Sequence, residues 1–109
     1  MIRNKTKNTL VVKSFSKEVG LKKFVGLIGS KNPNAIIFNT RFGIHTFLLK
    51  FSIDVLILDK NNKIVSMRNN LKPNKIFLWN IANDIVIELP SGSIQKSKTQ
   101  IGDFIEYDL

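Results

Sequence analysis

Apolar residues recur along this chain in short runs with a period near two, and the runs predict strands. Thr9–Phe15 places Leu10 and Val12 on one face and Val11 on the other. Ala35–Asn39 reads as a second strand. His45–Phe51 reads as a third, with His45, Phe47, Leu49 and Phe51 on one side and Thr46, Leu48 and Lys50 on the other. Ile53–Asp59 is apolar on both faces apart from Asp54, as suits a central strand covered twice. Lys60-Asn61-Asn62-Lys63 forms a hairpin turn into Lys63–Arg68, because Asn tolerates positive φ. Ile76–Trp79 is a short apolar piece that fits either element type. Asp84–Leu89 alternates, with Ile85, Ile87 and Leu89 inward and Asp84, Val86 and Glu88 opposite. Pro90 ends it, since proline cannot donate to a ladder. A turn at Gly102-Asp103 leads into a last strand, Phe104–Tyr107.

Helical spacing is weaker. Phe24, Val25 and Ile28 share one helical face, and Ser16 can cap a helix behind it. Gly20 and Gly26 weaken that helix, so a short one is expected near residues 17–28. Residues 93–100 read as a polar connector with at most one helical turn. Together these elements predict a mainly β fold (with α+β as the alternative): a barrel-like or curled antiparallel sheet of about seven short strands and one helix. Residues 1–8 are polar and charged and are expected to form a flexible N-terminus, with residues 9–109 as one globular domain.

Composition narrows the function classes. The chain has 109 residues and no cysteine, which excludes disulfides, thiolate metal sites and a cysteine nucleophile. A single histidine, His45, makes a transition-metal centre an unusual expectation. No secretory signal opens the chain. The longest apolar runs, such as Ala35–Phe38 and Val55–Leu58, fall far short of the ~20 residues that span a bilayer, so a soluble, cytoplasmic protein is expected. The net charge of +9 is uneven. Residues 1–50 hold ten Lys/Arg against Glu18 alone, whereas residues 51–109 hold seven basic and seven acidic residues. A basic half attracts nucleic acid, anionic lipid or acidic partners. The joint richness in Lys, Asn and Ile also fits a coding bias with no functional cause.

Four stretches carry a resemblance. They are Phe24-Val25-Gly26-Leu27-Ile28-Gly29, Thr40-Arg41-Phe42-Gly43-Ile44-His45-Thr46-Phe47, Phe51-Ser52-Ile53-Asp54-Val55-Leu56-Ile57-Leu58-Asp59, and Glu88-Leu89-Pro90-Ser91-Gly92-Ser93 followed by Ile101-Gly102-Asp103. In order and spacing they resemble the domain-of-unknown-function family 192, over roughly residues 9–107. The resemblance implies a compact, mostly β domain. It implies no reaction and no cofactor, and it supplies no catalytic residue to carry over. Secreted relatives occur in that family; the lack of a signal here argues against an exported role. Leu48 and Leu49 stand where relatives often have Trp or Met, so a pocket lined by that strand would differ. Physical chemistry accounts for the shared motifs as fold determinants: Gly92 and Gly102 suit turns with positive φ, and Asp103 can bond its own turn backbone.

Five residues are candidates for ligand binding: Arg41, His45, Asp54, Trp79 and Glu88. His45 is a candidate because histidine side chains serve as acid–base groups, or it is a core-edge histidine bonded to backbone. Asp54 inside an apolar strand needs a partner, either backbone amides or a cation such as Arg41 or Lys50. Arg41 can grip an anion with its planar fork. Trp79 is either core or a stacking platform. Glu88 reads as a surface or partner acid. No nucleophile–base, P-loop, dinucleotide or zinc-protease motif is present. The first reading is therefore a small non-catalytic binding or accessory domain for a small ligand or a protein partner, its oligomeric state open. The alternatives are a small enzyme using Arg41, His45 and Asp54, and a basic nucleic-acid binder.

Overall fold

The computed structural model describes residues 1–17, 35–41, 43–47, 49–80 and 82–108. These hold β1 (Ile2–Asn4), β2 (Thr9–Val12), β3 (Phe15–Lys17), β4 (Ala35–Asn39), β5 (Gly43–His45), β6 (Ile53–Leu58), β7 (Ile64–Leu71), β8 (Ile76–Leu78), β9 (Ile85–Pro90), the helix α1 (Ser93–Ser97) and β10 (Ile105–Tyr107). The fold is mainly β, as the alternation predicts. The strands form a five-stranded sheet in the order β3-β4-β9-β6-β7, a three-stranded sheet β10-β1-β2, and a two-stranded ribbon β5-β8.

Several expectations are corrected. The described sheets do not close into a barrel. The large sheet is not wholly antiparallel, because β3 pairs with β4 in parallel. Thr9–Phe15 is not one strand but the end-to-end pair β2 and β3. Residues 1–8 are not a loose end: β1 is the middle strand of its sheet, and Ile2 and Asn4 are fully buried. The strand expected over His45–Phe51 stops at His45. Thr46 is diverted to the loop before β8: its hydroxyl donates to the Lys72 carbonyl at 2.7 Å and accepts the Lys75 amide at 2.8 Å. The expected helix over residues 17–28 falls outside the described residues, except Lys17, which ends β3.

β6 lies between β9 and β7, and all six of its residues are buried. Its side chains alternate between two cores. On one face Leu56 and Leu58, with Ile37, Ile87 and Leu89, pack against Ile2, Val11, Ile94 and Ile105 of the small sheet and helix. On the other, Ile53, Val55 and Ile57, with Ile36, Phe38 and Val86, pack against Phe77 and Ile44 of the ribbon. Each such side chain contributes about 1.5–3 kcal/mol when removed from water. The large sheet is thus the middle layer of three, which decides where every candidate residue lies.

Candidate functional site

Asp54 is fully buried on the helix side of the large sheet. It sits opposite a bulge in β7, where the pairing shifts from Ile53↔Leu71 to Val55↔Arg68. One carboxylate oxygen accepts the Asn70 amide at 2.8 Å, and Asn70 itself takes a φ of 57°. The other oxygen accepts the amides of Gly92 at 3.1 Å and Ile94 at 2.9 Å. Gly92, at φ 95°, is the N-cap of α1 and has no side chain with which to cap it. Asp54 thus caps the helix from another strand and ties it to the bulge, satisfying donors that would otherwise be orphaned. Its partners are backbone amides, not the Arg41 or Lys50 side chains.

Asp103 holds the other end of the helix layer. Its carboxylate accepts Asn4 Nδ2 at 2.8 Å, Lys7 Nζ at 2.8 Å and the Gln100 amide at 3.0 Å. Burial acts to raise its pKa, but these hydrogen bonds and the Lys7 charge outweigh burial and hold the carboxyl below its ordinary value.

Glu88 has no such partners among the described residues. It pairs with Ile36 of β4 and Val55 of β6, and so shares their face, the one covered by the ribbon. The alternation puts it on the polar side of its strand, as a surface or partner acid. That placement is corrected, because β9 is covered on both faces and Glu88 is only 7% exposed. Among the described residues no hydrogen bond or ion pair reaches its carboxyl, and burial pushes its pKa up to about 7. Every unpaired side-chain polar atom of the described residues keeps some contact with solvent, so the small exposed part of Glu88 includes carboxyl oxygen. An acid with no partner among the described residues therefore sits in an apolar face, with only a small part of it exposed to water.

Trp79 lies in the same layer as Glu88. It packs half-buried on that core, meets Phe77 edge-on at 5.5 Å, and donates Nε1–H to the Asn83 carbonyl at 2.8 Å. His45 pairs with Ile76 across the ribbon and is exposed, alternating with the inward Ile44. Its ring stacks on Phe47 at 4.9 Å, and its Nδ1 accepts the Phe47 amide at 3.3 Å. Arg41 is exposed just before β5. The five residues therefore do not meet. Glu88 and Trp79 share one layer, His45 lies on the ribbon's outer surface, and Asp54 is across the large sheet from all three.

A feature not singled out from the sequence lies beside the ribbon. Arg68, Lys72 and Lys75, with Asn69, Asn70 and Ile76, line an open groove of about 290 Å3 that contains no acid. Arg68 is held over the Phe77 ring at 5.1 Å. Ile76 and Leu78 are 61% and 68% exposed. Gly43 lets the ribbon strands close here, since a Cβ on it would meet the Phe77 carbonyl oxygen and Leu78 Cδ2 at 2.6 Å. Among the described residues no group of three His, Asp or Glu side chains is placed to hold a metal ion, and no helix is long and apolar enough to cross a membrane.

Comparison with known proteins agrees with this architecture. The model of the domain-of-unknown-function family DUF192, described as an uncharacterized ACR, matches residues 10–107. The UPF0127 protein PH1112 of Pyrococcus horikoshii is 33% identical over 118 aligned positions, covering 98% of each chain. A crystal structure from Sinorhizobium meliloti, solved as that of a candidate transcription regulator, superposes with a TM-score of 0.73 at 16% identity, over 84% of this chain and 78% of that one. Another, of a protein of unknown function from Novosphingobium aromaticivorans, gives 0.72 at 13% identity, over 85% and 72%. At such identities these two likenesses concern the fold alone. The family match and the 33% identity to the Pyrococcus protein place the sequence: the chain belongs to DUF192, the family of the UPF0127 proteins.

Proposed function

We propose that the chain is a small, non-catalytic binding domain of the cytoplasm that takes a small cationic ligand at Glu88, on the ribbon-covered face of the large sheet. The reading is carried by one observation, the contrast among the buried acids. Asp54 and Asp103 each accept several hydrogen bonds that hold the fold together, whereas Glu88 is buried with none among the described residues. A carboxylate kept in an apolar layer with little water around it carries a desolvation cost. A sequence that carries such a cost without structural return marks a functional position. An ammonium or guanidinium group reaching the carboxyl supplies the missing partner, and the apolar surroundings strengthen that pair. The Phe77–Trp79 layer supplies apolar contact for the rest of a ligand.

The reading is tested by thermal unfolding with a panel of alkylamines and alkylguanidines at pH 6 and pH 8. A cation that pairs with ionised Glu88 raises the melting temperature more at pH 8 than at pH 6, and loses its effect in Glu88→Gln. A panel member that stabilises Glu88→Gln as well as the wild type contradicts the site, as does a panel without effect at either pH.

A further inference from the structure

The outer surface of the β5–β8 ribbon is the second part of the molecule that packing leaves unexplained. Strand alternation turns Ile44 and Phe77 inward and leaves His45, Ile76 and Leu78 outward. Phe47 is 43% exposed and extends this surface by stacking on His45, the cross-strand partner of Ile76. Two aliphatic side chains of a thin, two-stranded element and one aromatic ring just past the end of β5 thus stay exposed. Exposed apolar patches of this kind mark interaction surfaces.

Charge identifies the occupant. The groove that shares Ile76 with this surface carries Arg68, Lys72 and Lys75 and no acid. The nearest acids along β6, β7 and β9 sit elsewhere. Asp59 and Asp84 flank the end of the sheet where Leu58 pairs with Ile64 and Ile85, while Lys72 follows the opposite end, where Leu71 pairs with Ile53. Asp54 and Glu88 are buried. We infer that this face is a docking surface for an anionic lipid bilayer: Ile76, Leu78 and Phe47 enter the headgroup region, and Arg68, Lys72 and Lys75 sit against the lipid phosphates and carboxylates. Projecting aliphatic side chains need a soft apolar medium and no preformed pocket. Nucleic acid would stack on aromatic rings, but the Phe47 ring already stacks on His45, and Ile76 and Leu78, the most exposed part of the surface, offer no face to a base. A bilayer answers both the apolar and the cationic part, and the cytoplasmic leaflet carries the required charge.

The test is co-sedimentation of the full chain with vesicles of phosphatidylcholine alone and with 30% phosphatidylserine added, at low and moderate salt. Binding is expected only with phosphatidylserine, and it falls as salt rises. Lys72→Gln with Lys75→Gln lowers the partition coefficient by about 25-fold, at about five-fold per cation near an anionic surface. Ile76→Ser with Leu78→Ser lowers it by about ten-fold or more while the salt dependence stays. Both pairs of positions are exposed, and circular dichroism checks that the fold is kept. Binding that both double variants leave unchanged overturns the assignment, as does no binding to the anionic vesicles. A chain that ignores the vesicles but binds oligoglutamate or single-stranded RNA through Lys72 and Lys75 puts an acidic protein or nucleic acid on this face instead, which also overturns it.

Discussion

Asp54 and Ile94 stand forty residues apart and are joined by a 2.9 Å hydrogen bond from the Ile94 amide to the Asp54 carboxylate. With the Gly92 and Asn70 amides on the same carboxylate, this bond fastens the turn after β9 and the bulge of β7 to the central strand. It makes structural sense of two of the motifs read from the sequence, the Asp54 strand and the Pro90-Ser91-Gly92 turn, without any chemistry.

Asp54→Ala therefore orphans three backbone donors in one step. We expect a loss of roughly 3–5 kcal/mol in chemical denaturation. Asp54→Asn keeps one acceptor oxygen and falls between Ala and wild type. An Ala variant within 1 kcal/mol of wild type, on the scale of a single ordinary hydrogen bond, would show that these amides find other partners.

Gly92→Ala should cost much less. A Cβ at this position meets nothing within 4 Å, so the penalty is conformational only, from a φ of 95°. About 1–2 kcal/mol is expected, without loss of the helix. A larger loss in the same denaturation assay points to a contact that the static geometry lacks.

The Asp103 carboxyl is held below its ordinary value by Asn4, Lys7 and the Gln100 amide. Its contribution to stability is present above the unfolded pKa, near 3.8, and disappears as the pH falls through the lower folded value. The wild type should lose stability on acidification below about pH 4, and Asp103→Asn should flatten that limb. Stability followed from pH 2 to 6 in both proteins checks this; equal slopes would remove Asp103 from the account.

Much of this fold is legible in local pattern. The twice-covered strand at Ile53–Leu58, the Asn62 turn, the positive φ of Gly92 and Gly102, and Asp103 bonding its own turn all depend on residues close in sequence. What is not legible depends on distant segments. Alternation says that Ile87 and Glu88 face opposite ways, but not that a ribbon from residues 43–45 and 76–78 covers the Glu88 side. β1 hides because Ile2 is the one apolar residue that commits its strand to the core among Arg3, Lys5 and Lys7. The basic groove hides for a similar reason. Residues 51–109 are neutral in sum, yet Arg68, Lys72 and Lys75 gather on one side while Asp54 and Glu88 are buried.

Glu88 also sets a pH dependence of opposite sign. Its folded pKa is raised from 4.5 to about 7, so the folded state keeps its proton where the unfolded chain has lost it. Its favourable contribution is complete below pH 4.5 and is lost as the pH rises through 7. Glu88→Gln should remove this decline, and at pH 8 it should be more stable than wild type by up to about 3 kcal/mol. Parallel stability curves for the two proteins between pH 5 and 8 would contradict it.

The most direct measurement is a carbon-detected NMR titration of the glutamate carboxyls in the free protein. The chain has three glutamates, Glu18, Glu88 and Glu106, so Glu88→Gln assigns the signal by its disappearance. We expect one carboxyl to titrate near pH 7, to be absent in the variant, and to shift to lower pH when an alkylguanidine occupies the site. If all three titrate between about pH 4 and 4.5, in the ordinary carboxyl range, Glu88 is solvated or already paired and the proposed ligand site does not exist.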